Sequence, residues 1–112
     1  MERRHDRVKD RGLPSDTTAT LRNAARDLMR TVRELGRQVG QPGVAPSNVM
    51  AARIADRART EAAHWPTREA RRRFLAEFAS EVRNEPRDDS GAYGRFLEQV
   101  ATMIEERQAD EA

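Results

Sequence analysis

The residues of this chain that could do chemistry are few. Glu61-Ala62-Ala63-His64 has the Glu-x-x-His spacing with which carboxylate-bridged di-metal bundles hold ions from one helix. A complete site of that type needs two such motifs and two further glutamates, which only a homodimer could supply here. His64 also projects about 120° from the centre of the apolar arc that carries Glu61, at 100° per helical residue. The only other imidazole is His5, and no serine sits in a nucleophile motif. Glu77 and Glu81 stack at i and i+4, which reads as a solvated helix face. Gly36, Gly40 and Gly43 precede no strand, so they make no phosphate-binding loop. With no cysteine, disulfides, thiolate chemistry and cysteine-containing zinc sites are excluded. The expectation is a protein that is not an enzyme, with no cofactor, no metal and no small-molecule substrate.

Arginine supplies the most suggestive pattern. Arg22, Arg26, Arg30, Arg33 and Arg37 fall within roughly 80° of arc on one helix. They form a stripe about 22 Å long at 1.5 Å per residue. Such a row could track an anionic backbone or an acidic partner, because each arginine neutralises a phosphate and releases counterions. Asp27 and Glu34 lie within i±4 of several of these arginines, so part of the stripe is paired within its own helix. A solvated polar face is the favoured reading and an anion-binding surface the alternative. Arg68, Arg71, Arg72 and Arg73 form a second cluster behind Trp65-Pro66-Thr67, which could be the turn of a helix-turn-helix. The flanking helices are too long for that motif, the arginines scatter around the wheel, and cations at a helix N-terminus oppose its dipole. DNA reading by this helix is not expected.

Positioning these groups requires helices. Leu21, Ala25, Leu28, Val32, Leu35 and Val39 recur at spacings of 4, 3, 4, 3 and 4, a seam of coiled-coil type. The spacing predicts a first helix over 16–39 with Ser15 or Asp16 as N-cap, ended by Gly40-Gln41-Pro42-Gly43-Val44-Ala45-Pro46. Ser47 is the expected cap of a second helix over 47–64, whose inward face is alanine-rich: Ala51, Ala55, Ala58 and Ala62. Thr67 caps a third over 68–85, with Phe74, Leu75, Phe78 and Val82 inward, ended by Pro86. Arg87-Asp88-Asp89-Ser90-Gly91 makes a turn into a fourth helix over 90–107. Phe74, Phe78, Phe96 and Val100 are the expected main core. Glu61, Arg71 and Glu81 fall inside apolar arcs, so each must reach the rim or pair across helices; Arg71 with Glu61 is the pairing expected at the Trp65-Pro66 turn.

The fold class is therefore all-α, a four-helix antiparallel bundle or paired helical hairpins. Residues 15–108 form one helical domain, preceded by a disordered basic arm over 1–14 and followed by a frayed tail over 109–112. No apolar run is long enough to cross a membrane, and no apolar stretch follows the charged N-terminus, so a cytoplasmic protein without a secretory signal is expected. The net charge of +2 hides an asymmetry. Residues 1–60 carry 13 basic against 7 acidic side chains and residues 61–112 carry 8 against 12, giving +6 and −4. Leu, Ile, Val and Phe make up 18 of 112 residues, a thin supply of core. Thin cores are commonly completed by oligomerisation or a bound partner. These features point to a non-catalytic protein–protein interaction module: a regulator, inhibitor, adaptor or assembly subunit. Its partner would be another protein or a second copy, met through Leu21, Leu28, Val32, Leu35 and Val39. The lesser alternative is a nucleic-acid-binding regulator using the arginine stripe.

Overall fold

The computed structural model describes residues 15–88 and 91–110. The expected basic arm over 1–14, the turn residues Asp89 and Ser90, residues 111–112, and the side chains of the cap candidates Ser15 and Asp16 lie outside the described parts. Four helices follow one another: α1 Ser15–Gly36, α2 Ser47–Ala62, α3 Arg68–Arg83 and α4 Ala92–Asp110. There is no strand among the described residues.

The helix ends differ from expectation: α2 stops at Ala62 rather than at 64 and α3 at Arg83 rather than at 85, each two residues early, and three further differences have identifiable causes. First, α1 stops at Gly36 rather than Val39. The amides of Gln38 and Val39 turn back to the carbonyls of Leu35 and Gly36, tightening the chain to i+3 bonds, and Gly40 then takes a φ of +84°. A left-handed residue ends helical propagation, and glycine is the residue that tolerates it. Second, Ser47 is the first residue of α2 and not its cap. The chain enters from extended Pro46, which makes no side-chain cap, and the Pro46 carbonyl accepts from the Val49 and Met50 amides. Third, α4 runs through Asp110, so residues 109 and 110 belong to the helix. Thr67 does cap α3: its Oγ1 accepts from the Ala70 amide at 3.0 Å. Arg87 closes the other end of α3 by donating to the carbonyl of Glu85 and to that of Val82, which also accepts from the Glu85 amide at 3.2 Å.

Packing is dominated by α1 on α3, α3 on α4 and α4 on α2, while α1 and α2 touch little. Side-chain pairs give the directions. Arg22, Arg26 and Arg33 meet Glu77, Glu81 and Glu85 in ascending order, so α1 and α3 run parallel. Ser47 shares a cleft with Ala92 and Arg95, and Asp56 reaches Arg107, so α2 and α4 also run parallel. Arg83 bridges Glu98 and Glu105 across the α3–α4 hairpin. Successive helices thus alternate in direction, as expected of the bundle, but two of the closest lateral pairs are parallel. The connection 37–46 carries the chain between helices that are not close neighbours.

Every expected core residue is inside. Phe74, Phe78, Phe96 and Val100 are 0% exposed. Phe74 and Phe78 stack with ring centroids 6.4 Å apart, and Trp65 leans on Phe74 at 6.5 Å. Around them are eight buried alanines, and Met29 and Met50 as well. Alanine adds little area per residue but lets helix axes approach closely, so a core poor in large aliphatics still closes.

Candidate functional site

The α1 seam is placed inside the molecule. Leu21 and Val32 are fully buried and Leu28 is 5% exposed, while Leu35 and Val39 pack against the edge of the same core. An interaction surface was expected here; the seam instead faces the chain's own helices, because any core-facing stripe of an amphipathic helix carries the same 4-3 spacing as a coiled-coil seam.

The arginine stripe is on the surface and engaged. Arg22 Nε lies 3.7 Å from Glu77, and Arg26 Nε 3.9 Å from Glu81. Arg33 grips Glu85 with two hydrogen bonds of 3.0 Å. Arg30 pairs within α1, with Asp27 at 3.7 Å, and Arg37, one residue past its end, reaches back to Glu34 at 3.6 Å, as the spacing predicted. The carboxylates of α3 therefore form a ladder complementary to the stripe, stepping by four as Arg22 and Arg26 do. Glu77, expected to be merely solvated, and Glu81, expected either to be solvated or, from its place in an apolar arc, to reach the rim or pair across helices, are both interhelical partners.

One end of this ladder is a polar node. The Tyr93 hydroxyl donates to Glu85 Oε2 at 3.1 Å, beside the Arg33 fork. Arg33 holds the Glu85 carboxyl below its ordinary range, against the opposing effect of partial burial. Burial, then the hydrogen bond to Glu85, pushes the Tyr93 phenol up to about 12. The Tyr93 ring lies on Gly36, where an added Cβ would stand 2.1 Å from Cε1. The node joins the ends of α1 and α3 to the start of α4. Its chemistry is that of a latch, since its acid is kept ionised and its phenol protonated near neutral pH. A second fork, Arg83 on Glu105 at 2.6 and 2.8 Å and on Glu98 at 3.0 Å, lowers the Glu105 pKa and raises that of Arg83.

The remaining candidates separate. Glu61 lies against Arg57 and His64 at 3.8 and 3.6 Å. No cluster of three metal-ligating side chains forms among the described residues. Arg71 Nη1 donates to the Trp65 carbonyl, which satisfies the turn where a pairing with Glu61 was expected.

A surface that sequence reasoning missed runs along the outside of α4. A concavity of roughly 610 Å³ extends from Arg87 and Gly94 past Gln99 and Met103 to Glu106. Met103 is half-buried, with part of its side chain packed against the core. Gln99 Oε1 is buried with no hydrogen-bond donor among the described residues. An unsatisfied buried acceptor costs about 1–3 kcal/mol, and a donor outside the chain reaches this one only if the Gln99 side chain turns outward. The sequence signal was present, as Arg95, Gln99, Thr102 and Glu106 step by 4, 3 and 4 on the face opposite Val100 and Ile104. It was hidden because the stripe is polar. Comparisons of the chain with family models, with curated proteins and with solved structures find no match.

Proposed function

We propose that the protein is a non-catalytic helical interaction module that binds another protein chain through the outer face of α4. The observation that carries this reading is the α4 groove. It joins the half-buried Met103 to Gln99, whose Oε1 has no donor among the described residues, on a helix whose opposite side is already committed to α2 and α3. Elsewhere the strong interaction groups are engaged internally, the α1 seam in the core and the α1 arginines on α3 and α1 carboxylates. The nucleic-acid alternative draws less support for that reason. Phosphates would have to displace Glu77, Glu81 and the two-bond Glu85 contact before meeting the stripe.

The test is capture from native lysate after nuclease treatment, with wild type and with Thr102→Lys, a change at an exposed position of the groove. Proteins retained by wild type in moderate salt and lost by the variant, at equal thermal stability of the two baits, are the expected result. Capture that disappears with nuclease, or that falls steeply with salt and is abolished by Arg26→Gln/Arg30→Gln/Arg33→Gln, would replace this reading with the nucleic-acid one.

A further inference from the structure

We propose that α1 is an exchangeable helix: two copies of this chain dimerise by each laying its α1 on α3 of the other, with residues 40–43 as the hinge. Three observations carry this. First, α1 is the edge of the bundle. It packs on α3 and touches α2 and α4 little, while α3, α4 and α2 stay joined to one another without it. A cleft of roughly 250 Å³, with Ala24, Leu28 and Thr31 on one wall and Arg57 and Glu61 on the other, already lies between α1 and α2. Second, the chain leads from α1 to the helix that α1 hardly touches, and residues 40–43 of that connection are exposed. Two turn hydrogen bonds close the stretch, from the Gln41 amide to the Gln38 carbonyl and from the Val44 amide to the Gln41 carbonyl. Val39 and Val44, on either side of it, pack on the edge of the core, so each can stay with its own helix when the hinge straightens. Third, the closed turn needs two left-handed residues: Gly40 and Gly43 have φ of +84° and +81°. Pro42 disfavours helical backbone at Gln41 and so leans the same stretch toward extension.

Exchange costs little because it rebuilds the same contacts. Leu21, Ala25, Leu28, Met29 and Val32 return to a core of the same shape, and Arg22 and Arg26 meet Glu77 and Glu81 of the other copy. No apolar helix face is newly exposed, so protein concentration decides between monomer and exchanged dimer. The outer face of α4 takes no part, and the exchange does not depend on the function proposed for it.

The charge ladder supplies the test. One chain carries Arg22→Glu with Arg26→Glu and the other Glu77→Lys with Glu81→Lys, so that like charges face one another across α1 and α3 in either monomer. Only reciprocal exchange matches every pair, since the substituted α1 then lies on the substituted α3 and the unchanged α1 on the unchanged α3. Warmed together and cooled, the two chains should form a one-to-one heterodimer by native mass spectrometry and sedimentation velocity. It should melt at least about 4 °C above either chain alone, as relief of two like-charge contacts per chain implies for a domain of this size. Association that leaves each α1 on its own α3 keeps both mismatches and gives no such gain. A second arm leaves the ladder intact. A Cβ at Gly43 would meet nothing within 4 Å and one at Gly40 only Ala92 Cβ at 3.8 Å, so alanine strains the closed turn through φ alone. Gly40→Ala or Gly43→Ala should disfavour the closed hinge roughly tenfold, and because a dimer opens two hinges its association constant should rise about a hundredfold over wild type. Mixed chains that form no heterodimer and melt as they do alone, or glycine variants that stay monomeric up to millimolar concentration, would each overturn the proposal.

Discussion

Gly36→Ala is expected to destabilise the protein, against the usual sign for a helical glycine. Alanine is favoured over glycine in a helix interior by up to about 1 kcal/mol. At Gly36 the new methyl would meet Tyr93 Cε1 at 2.1 Å and Cδ1 at 2.6 Å, whereas carbon atoms pack best at about 3.5–4.0 Å. The ring must retreat by roughly 1.5 Å to reach that contact distance. It is tethered on both sides, by the hydroxyl bond to Glu85 at 3.1 Å and by Phe96 at a centroid distance of 6.4 Å. Overpacking of this kind costs about 1–3 kcal/mol, and stretching a hydrogen bond to a carboxylate adds to it. Partial exposure of Tyr93 and the position of Gly36 at the last residue of α1 reduce both terms. A net loss of about 1–2 kcal/mol remains, read from urea unfolding with an unchanged m value. In a Tyr93→Ala background the obstacle is gone, and the same substitution should be neutral or mildly stabilising. The coupling between the two sites should then be at least about 1 kcal/mol, within the range for residues in contact. Because Tyr93 is the only tyrosine, ultraviolet titration of its phenol reports the node directly, with a midpoint about 12 that falls toward the ordinary value in Gly36→Ala. A Gly36→Ala variant more stable than wild type, with that midpoint unmoved, would refute the latch.

The other expectations concern core, charge and pH. Phe78→Ala should cost about 3–5 kcal/mol, as Phe78 is fully buried in the aromatic row; melting within a degree or two of wild type would deny its burial. Leu28→Lys should unfold the chain at every protein concentration, since the side chain lies in the monomer's own core; a loss of helicity that protein concentration reverses would return the α1 seam to an interface. Glu77→Lys with Glu81→Lys should lower the melting temperature most at low salt, where charges on the stripe are least screened, and Arg22→Glu with Arg26→Glu should recover part of the loss; no salt dependence would mean that the ladder contributes nothing. Glu85 and Glu105 have depressed folded pKa values, so the stability they contribute is fully present above their unfolded values and is lost as pH falls through the folded ones. Acid unfolding should therefore start later in wild type than in Arg33→Gln, which frees Glu85. The Tyr93 shift has the opposite sign, so its contribution is present below the unfolded phenol value and fades as pH rises toward about 12.

Much of the fold was legible because helical stripes and their punctuation are local. Thr67 read correctly as a cap and Phe74, Phe78, Phe96 and Val100 as core, each from its own few neighbours. Ser47 misled because proline one residue earlier can open a helix from its extended conformation, and a serine beside it is then simply the first turn. What was not legible was adjacency. A stripe at 4-3 spacing states that one helix face is covered, not by what. The α1 seam could therefore be taken for an interface although α3 and the rest of the core cover it. The same limit hid the charge ladder. Arg22 and Arg26 and, independently, Glu77 and Glu81 each step by four, yet only the parallel packing of α1 on α3 brings them into register. The thin-core argument also undercounted, because it weighed Leu, Ile, Val and Phe while alanine and methionine complete the interior.

The charge asymmetry of the chain then has a structural use. The basic stripe of α1 could lie beside either α2 or α3 in a bundle with these connections. Along α2 it would approach Arg53, Arg57 and Arg59, with Asp56 and Glu61 engaged by Arg107 and by Arg57 and His64. Along α3 it meets Glu77, Glu81 and Glu85. Exposed ion pairs contribute little to stability, with a median of about 0–1 kcal/mol each, but like charges forced together penalise the wrong neighbour as well. A core in which eight of the 22 buried side chains are alanine, small enough to fit several packings with similar burial, gives weaker steric preference among arrangements. The ladder supplies discrimination where the core does not, and the Arg33–Glu85–Tyr93 node fixes the register at the one end where the ion pair is shielded enough to hold it. On this account the arginine stripe has a function within the fold: it selects α3, and not α2, as the neighbour of α1.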